Sequence, residues 1–178
     1  MSARVLPAKV SMNVEKYLHA SFEGADCEYL EGEIVERNMG EYVHARIQAW
    51  LVHLLMMAEP RLGIRVLSEL RIQIGPRRYR VADLAVWRAT DDIGDRIPAQ
   101  PPFLAIEILS PEDRIVRMHP KIQEYLSIGV EWVWLVDPYE RRAICFSKEN
   151  PGGSLSDVLR TRNPDIELPL ETVFQPLS

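Results

Sequence analysis

The stretch FLAIEILSPEDR, Phe103 to Arg114, constrains this chain more than any other. Phe103, Ala105, Glu107 and Leu109 share one side of an extended run, and Leu104, Ile106 and Ile108 share the other. Apolar residues on both faces require cover on both, which describes a central strand rather than a half-exposed edge. Glu107 is then anomalous, because a buried carboxylate is costly unless a proton, a cation or a metal neutralises it. SPED closes the strand and opens a helix, with Ser110 as cap, Pro111 at the first helical position and Asp113 completing a capping box.

The remaining periodicities place elements around that strand. Ser11 to Ala20 forms a short helix capped by Ser11 or Asn13, and Cys27 to Glu36, with Gly32 between two β-friendly halves, a short hairpin or bent strand. From His44 to Ala58, Ile47, Trp50, Leu51, Leu54, Leu55 and Ala58 recur at helical spacing until Pro60 and Gly63 stop the run. Ile64 to Ile74 alternates apolar and polar residues, GPRRY turns, and RVADLAVW returns as a second strand. Pairing Ile74 with Arg80 puts Asp83 opposite Arg71 and Glu69 opposite Ala85. Beyond Ser110 the helix is interrupted or restarted at Pro120 and ends at Gly129; EWVWLVD and ERRAICFS follow as a strand pair, and the tail is rich in turns. The order helix, strand, strand, strand, helix, strand predicts a mixed α/β sheet with flanking helices and an N-terminal hairpin. One domain is expected over residues 1–178, with its core at about residues 44–147.

Asp83 and Glu107 each interrupt an apolar strand and lie 24 residues apart, enough for neighbouring strands joined by a long loop. Two such carboxylates repel, so they need either separate ion pairs, for example Asp83 with Arg71 and Glu107 with a lysine, or a shared Mg²⁺ or Mn²⁺ ion. A shared ion makes Asp83→Asn harmless to the metal-free protein, since it relieves repulsion.

The runs EILSPEDR and KIQEYLSIGVEWVWLVDP, with VADLAVW, CEYLEGEIVE and His44, resemble the Uma-two family of restriction endonucleases in the PD-(D/E)xK nuclease superfamily. The likeness spans about Ser11 to Phe146. It implies a restriction-endonuclease-like αβββαβ core and Mg²⁺- or Mn²⁺-dependent cleavage of phosphodiester bonds, with DNA the expected nucleic acid. Asp83 and Glu107 match the family's metal ligands and Lys121 its catalytic lysine. Ala82 stands where the motif has proline. Leu109 stands where the wider superfamily has lysine, so Lys121 must supply the cation from the helix. Glu33 and His44 match further polar positions, and Glu69 joins them as an auxiliary acid on the polar face of its strand. As a helix residue, Lys121 is expected to be removable with loss of cleavage and little loss of stability.

Composition narrows the classes. The net charge of -5 gives no global basic footprint, so contact with nucleic acid must be local. It also keeps alive a nuclease-fold protein that binds nucleic acid or a protein partner without cutting. Cys27 and Cys145 stand far apart without CxxC spacing, as in a reduced cytoplasmic protein. MSARVLPAKV lacks the apolar run of a signal peptide, and AWLVHLLMMA is too short to span a membrane. A homodimer would bring two centres to two strands.

Overall fold

Period-two alternation in the middle of the chain produces a mixed sheet, and helical periods on either side supply its two covers. The computed structural model describes residues 11–23, 26–37, 41–94, 96–98, 100–111 and 115–177. A short helix α1, Val14–His19, is capped by Asn13, whose Oδ1 accepts from the Lys16 amide at 2.8 Å. Strands β1, Glu28–Leu30, and β2, Glu33–Val35, form the expected hairpin. Its two-residue turn has positive φ at both Glu31 and Gly32, the geometry that suits a tight hairpin.

Helix α2, Tyr42–Leu62, passes through Pro60 and ends at Gly63. Proline therefore does not stop it. Its missing N–H removes one bond in the last turn only, while the left-handed Gly63 closes the helix by donating to the Glu59 carbonyl at 2.9 Å. Strands β3, Ile64–Gly75, and β4, Arg78–Arg88, follow, then β5, Leu104–Ile108, helix α3, Ile115–Ser127, and strands β6, Trp132–Asp137, and β7, Arg142–Ser147. Helix α3 runs through Pro120 without a break; Asp113 of the expected capping box lies outside the described residues. The tail adds β8, Ser154–Leu155, the pair β9, Val158–Arg160, with β10, Glu167–Pro169, and a one-turn helix α4, Leu170–Val173.

Among the described residues the main sheet has eight strands in the order β2-β1-β4-β5-β6-β7-β8, with β3 also on β4. Neighbours are antiparallel except β5 and β6, which are parallel and joined by α3, as a βαβ crossover requires. Leu104, Ile106 and Ile108 of β5 pack with Ile47, Leu51 and Leu55 of α2, and the tail's Val173 and Phe174 join that layer. Ala105 and Leu109 pack instead with Ile122, Tyr125 and Leu126 of α3. The central strand is thus covered on both faces, and Glu107 belongs to the α3 side.

Candidate active site

The sheet forks at β4. On one side β4 pairs with β1 through Arg78 and Tyr79 and with β5 through Leu84, Ala85 and Val86. Between those ladders, residues 80–83 have no strand partner on that side among the described residues. Backbone groups freed in a buried fork need other partners. The Val81 amide donates to Glu28 Oε1 at 3.2 Å, and its carbonyl accepts from Lys121 Nζ at 2.8 Å. The Ile108 amide donates to Asp83 Oδ2 at 2.7 Å. Side chains thus replace the missing ladder, and the fork opens a cavity of about 210 Å³ lined by Glu28, Arg37, His44, Asp83, Glu107 and Lys121 among others.

Register sets three acids abreast. Pairs Ser68–Leu84 and Leu70–Ala82 bracket Glu69 opposite Asp83. On the other side the Leu84–Ile106 pair leaves Glu107 level with Asp83 one step further on. The sequence register was therefore two residues out. Gly75 pairs with Arg78 around a two-residue turn, and a bulge between Gln73 and Gly75 shifts the rest of the ladder. Arg71 instead binds Asp26, with its Nε 2.6 Å from Oδ2. Glu69 itself has φ of 55°, a left-handed backbone uncommon for a residue with a Cβ.

Cations compensate the row. Arg37, just beyond β2, donates to both Asp83 Oδ1 and Glu69 Oε2. His44 Nε2, in the first turn of α2, lies 3.3 Å from Asp83 Oδ2, and Gln48 Nε2 donates to Glu69 Oε1 at 2.6 Å. Lys121 Nζ from α3 is 2.9 Å from both Glu107 Oε2 and Glu28 Oε1. Tyr125, one helical turn on, donates its hydroxyl to Glu107 Oε1 at 2.8 Å. Arg80 holds the far side of Glu28, with 2.6 Å between Nη1 and Oε2.

Burial is nearly complete: Asp83 and Glu107 are each 2% exposed and Lys121 8%. Desolvation pushes the Asp83 carboxyl up, but the His44 hydrogen bond and the Arg37 charge outweigh it, and the net shift is down. Glu107 goes the other way, to about 7, raised by burial and by the Asp83 charge against the pull of Lys121. Lys121 stays charged despite burial because Glu107 and Glu28 both hold it. Burial opposes the charged form of His44, yet the bond to Asp83 carries its pKa above the ordinary value. Its Nδ1 is buried and has no hydrogen-bond partner among the described residues.

The raised Glu107 gives a pH signature. A carboxyl that binds its proton more tightly when folded adds stability below its unfolded value near 4.5 and loses that contribution as pH climbs through about 7. Glu107→Gln has no such term. The difference in unfolding free energy, wild type minus variant, should therefore fall by up to about 3 kcal/mol between pH 5 and 8, measured by urea unfolding across that range. A difference that stays flat means that Glu107 is ionised throughout.

Of the residues singled out from sequence, Asp83, Glu107, Lys121 and His44 meet at this cavity, and Glu69 adjoins it through Arg37. Glu33 does not. It pairs with Leu30 across the hairpin and lines a separate depression with Ser11, Asn13 and Arg77. The acids of that stretch that line the cavity are Glu28, from β1, and Glu36, just beyond β2. Sequence reasoning also missed Arg37, Arg80 and Tyr125. Tyr125 was within reach, being four residues from Lys121 on the same helix face. An arginine in an irregular stretch such as Arg37 carries no periodic signal.

The donors suit a hard divalent ion. Asp83 and Glu107 offer carboxylate oxygens from adjoining strands, and Mg²⁺ asks for only one or two carboxylates while keeping its own waters. No cluster of three or more metal-ligating side chains occurs among the described residues.

The family model described as "putative restriction endonuclease", Uma2, matches residues 14–177. The chain belongs to the Uma2 family. Family membership agrees with the resemblance carried by VADLAVW and KIQEYLSIGVEWVWLVDP, and it extends over the tail as well. No curated protein matches the chain. Among solved structures, a crystal structure described as a putative nuclease belonging to DUF820, from Anabaena variabilis ATCC 29413, shares the fold. It has a TM-score of 0.79 and 22% identity, covering 94% of this chain and 99% of that one. The family supports a nuclease, and the solved structure shows the fold. No helix among the described residues is long and apolar enough to cross a membrane.

Proposed function

We propose that the chain is a metal-dependent endonuclease that hydrolyses phosphodiester bonds of nucleic acid, DNA in the first instance. The observation that carries this reading is the convergence of Asp83, Glu107 and Lys121, from two strands and a helix, on one buried cavity. Asp83 and Glu107 would hold Mg²⁺ or Mn²⁺, which when bound supplies Lewis acidity toward a phosphate oxygen. Lys121 places a fixed positive charge where charge develops on the phosphate, and a charge already oriented requires no reorganisation during reaction. Glu28 and the Val81 carbonyl aim its ammonium, and Tyr125 fixes the Glu107 carboxyl. His44 keeps Asp83 in place. The reading places the protein in the cytoplasm, where Cys27 and Cys145 stay reduced, and admits a homodimer acting on two strands.

One observation favours a second reading, a nuclease fold that binds nucleic acid or a protein without cutting. All four carboxylate oxygens of Asp83 and Glu107 already accept protein donors: Arg37, His44 and the Ile108 amide on one side, Tyr125 and Lys121 on the other. End-labelled duplex DNA and RNA incubated with the protein decide between the two. Strand cleavage in Mg²⁺ or Mn²⁺, abolished by EDTA, is the expected result. Binding without cleavage in either metal selects the second reading.

A further inference from the structure

We propose that Arg37 is a displaceable counter-ion: it holds Asp83 until a divalent cation takes that carboxylate, and its freed guanidinium then binds a phosphate of the nucleic acid. The inference rests on the metal-dependent reading above and assigns to it a phosphate-binding residue.

The two oxygens of Asp83 differ in how firmly their contacts hold. Asp83 Oδ2 is fixed by the Ile108 amide at 2.7 Å and by His44, so it is part of the substitute ladder that closes the fork. Asp83 Oδ1 is different: the donor on it is Arg37. A cation approaching Asp83 from the cavity therefore meets the guanidinium first, and two cations cannot share one carboxylate oxygen without repulsion.

Of the arginine and lysine side chains lining the cavity, Arg37 is also the one best placed to leave. Arg80 lies within β4 and is held by Glu28 and Glu124, each 2.6 Å away. Lys121 lies within α3 and is held by Glu28, Glu107 and the Val81 carbonyl. Arg37 follows the end of β2, outside any helix or strand, so its position is not set by a hydrogen-bonded ladder.

Release from Asp83 would not set Arg37 adrift. Its Nη1 is bound to Glu69, whose side chain is 40% exposed and which Gln48 holds from α2. That tether keeps the guanidinium beside the acid row while freeing the edge that faced Asp83. A guanidinium presents paired donors matched to two phosphate oxygens, which an ammonium cannot do. In a chain of net charge -5, such a local contact is the kind that phosphate binding requires.

Arg37→Gln and Glu69→Gln test this with two readouts. Mn²⁺ affinity is followed by the electron paramagnetic resonance of free Mn²⁺, and duplex DNA affinity by fluorescence anisotropy in Ca²⁺. Arg37→Gln should bind Mn²⁺ at least tenfold more tightly than wild type and DNA at least fivefold more weakly. Glu69→Gln, which keeps the arginine but loosens the tether that holds its guanidinium beside the acid row, should also weaken DNA binding, by a few-fold, and it remains informative if Arg37→Gln does not fold. Unchanged or weaker Mn²⁺ binding in Arg37→Gln overturns the inference and leaves the nuclease reading intact. Unchanged DNA affinity in Glu69→Gln overturns the tethered guanidinium as the phosphate-binding group. Tighter Mn²⁺ binding with unchanged DNA affinity removes the phosphate role. If wild type and variants alike fail to bind Mn²⁺, the metal-dependent reading falls and the inference with it.

Discussion

Lys121→Ala should lower the unfolding free energy by about 3 to 5 kcal/mol and reduce metal-dependent cleavage by roughly 10²- to 10³-fold. The stability loss follows from what the ammonium leaves behind. Glu28 and Glu107 are both buried and both 2.9 Å from Nζ, and the Val81 carbonyl in the sheet fork loses its donor. Removing one partner of a buried ion pair strands the other charge, which is the expensive way to break it. Glu107 can take up a proton, since its pKa is already about 7, whereas Glu28 retains Arg80. Adding Glu28→Gln to Lys121→Ala should therefore recover part of the lost stability without recovering cleavage. Leu109→Lys should recover part of the cleavage, because residue 109 packs on the α3 side of the sheet, as Glu107 does, although burial there will depress the new lysine's pKa. Urea unfolding and single-turnover cleavage are the measurements. Wild-type cleavage by a folded Lys121→Ala protein removes the lysine from the mechanism.

Asp83→Asn should abolish cleavage and destabilise the metal-free protein by about 3 kcal/mol, the order expected when a buried charge pair is broken. The strand pattern alone gives the opposite sign for stability, because it shows two like charges and no counter-charge. In the folded chain Asp83 carries Arg37 on Oδ1 and the Ile108 amide and His44 on Oδ2. An asparagine that keeps its oxygen toward the Ile108 amide and His44 turns its N–H₂ group toward Arg37, which cannot accept from it. Relief of repulsion with Glu107 and Glu69 offsets part of the loss. The variant should also lower the Glu107 pKa, since the Asp83 charge is one of the causes of its rise. Thermal unfolding of wild type and variant in EDTA reads the sign; a more stable variant would mean that the acid row dominates.

The parts of the molecule legible in the sequence are those that periodicity controls. Apolar residues on both sides of Phe103 to Leu109 announced a strand covered twice, and α2 and α3 supply the two covers. Interrupting acids at 83 and 107 marked the cavity, because carboxylates in apolar strands have few structural excuses. Whatever depended on register was not legible. A turn shorter than GPRRY suggests and a bulge before Gly75 each slid the ladder by one residue and together moved Asp83 from Arg71 to Glu69, and no count of alternating residues reveals either. Glu28 and Arg37 were hidden for a related reason. Their place beside Asp83 and Lys121 arises where β1 and β5 meet the same side of β4 without filling it, a property of the sheet rather than of any one strand. Pro60 and Pro120 show the converse: local signals read as breaks are overridden where the helix around them packs on the sheet.

The claim on which the rest depends is that Asp83 and Glu107 share one divalent ion. Calorimetric titration of the purified protein with Mn²⁺, beside Asp83→Asn under the same conditions, tests it most directly. The account predicts a saturable binding isotherm for wild type and none for the variant, with matching protection of the wild type alone against thermal unfolding. Identical isotherms, or no heat of binding in either protein, would contradict it and leave the buried carboxylates as partners of Arg37, His44 and Lys121 alone.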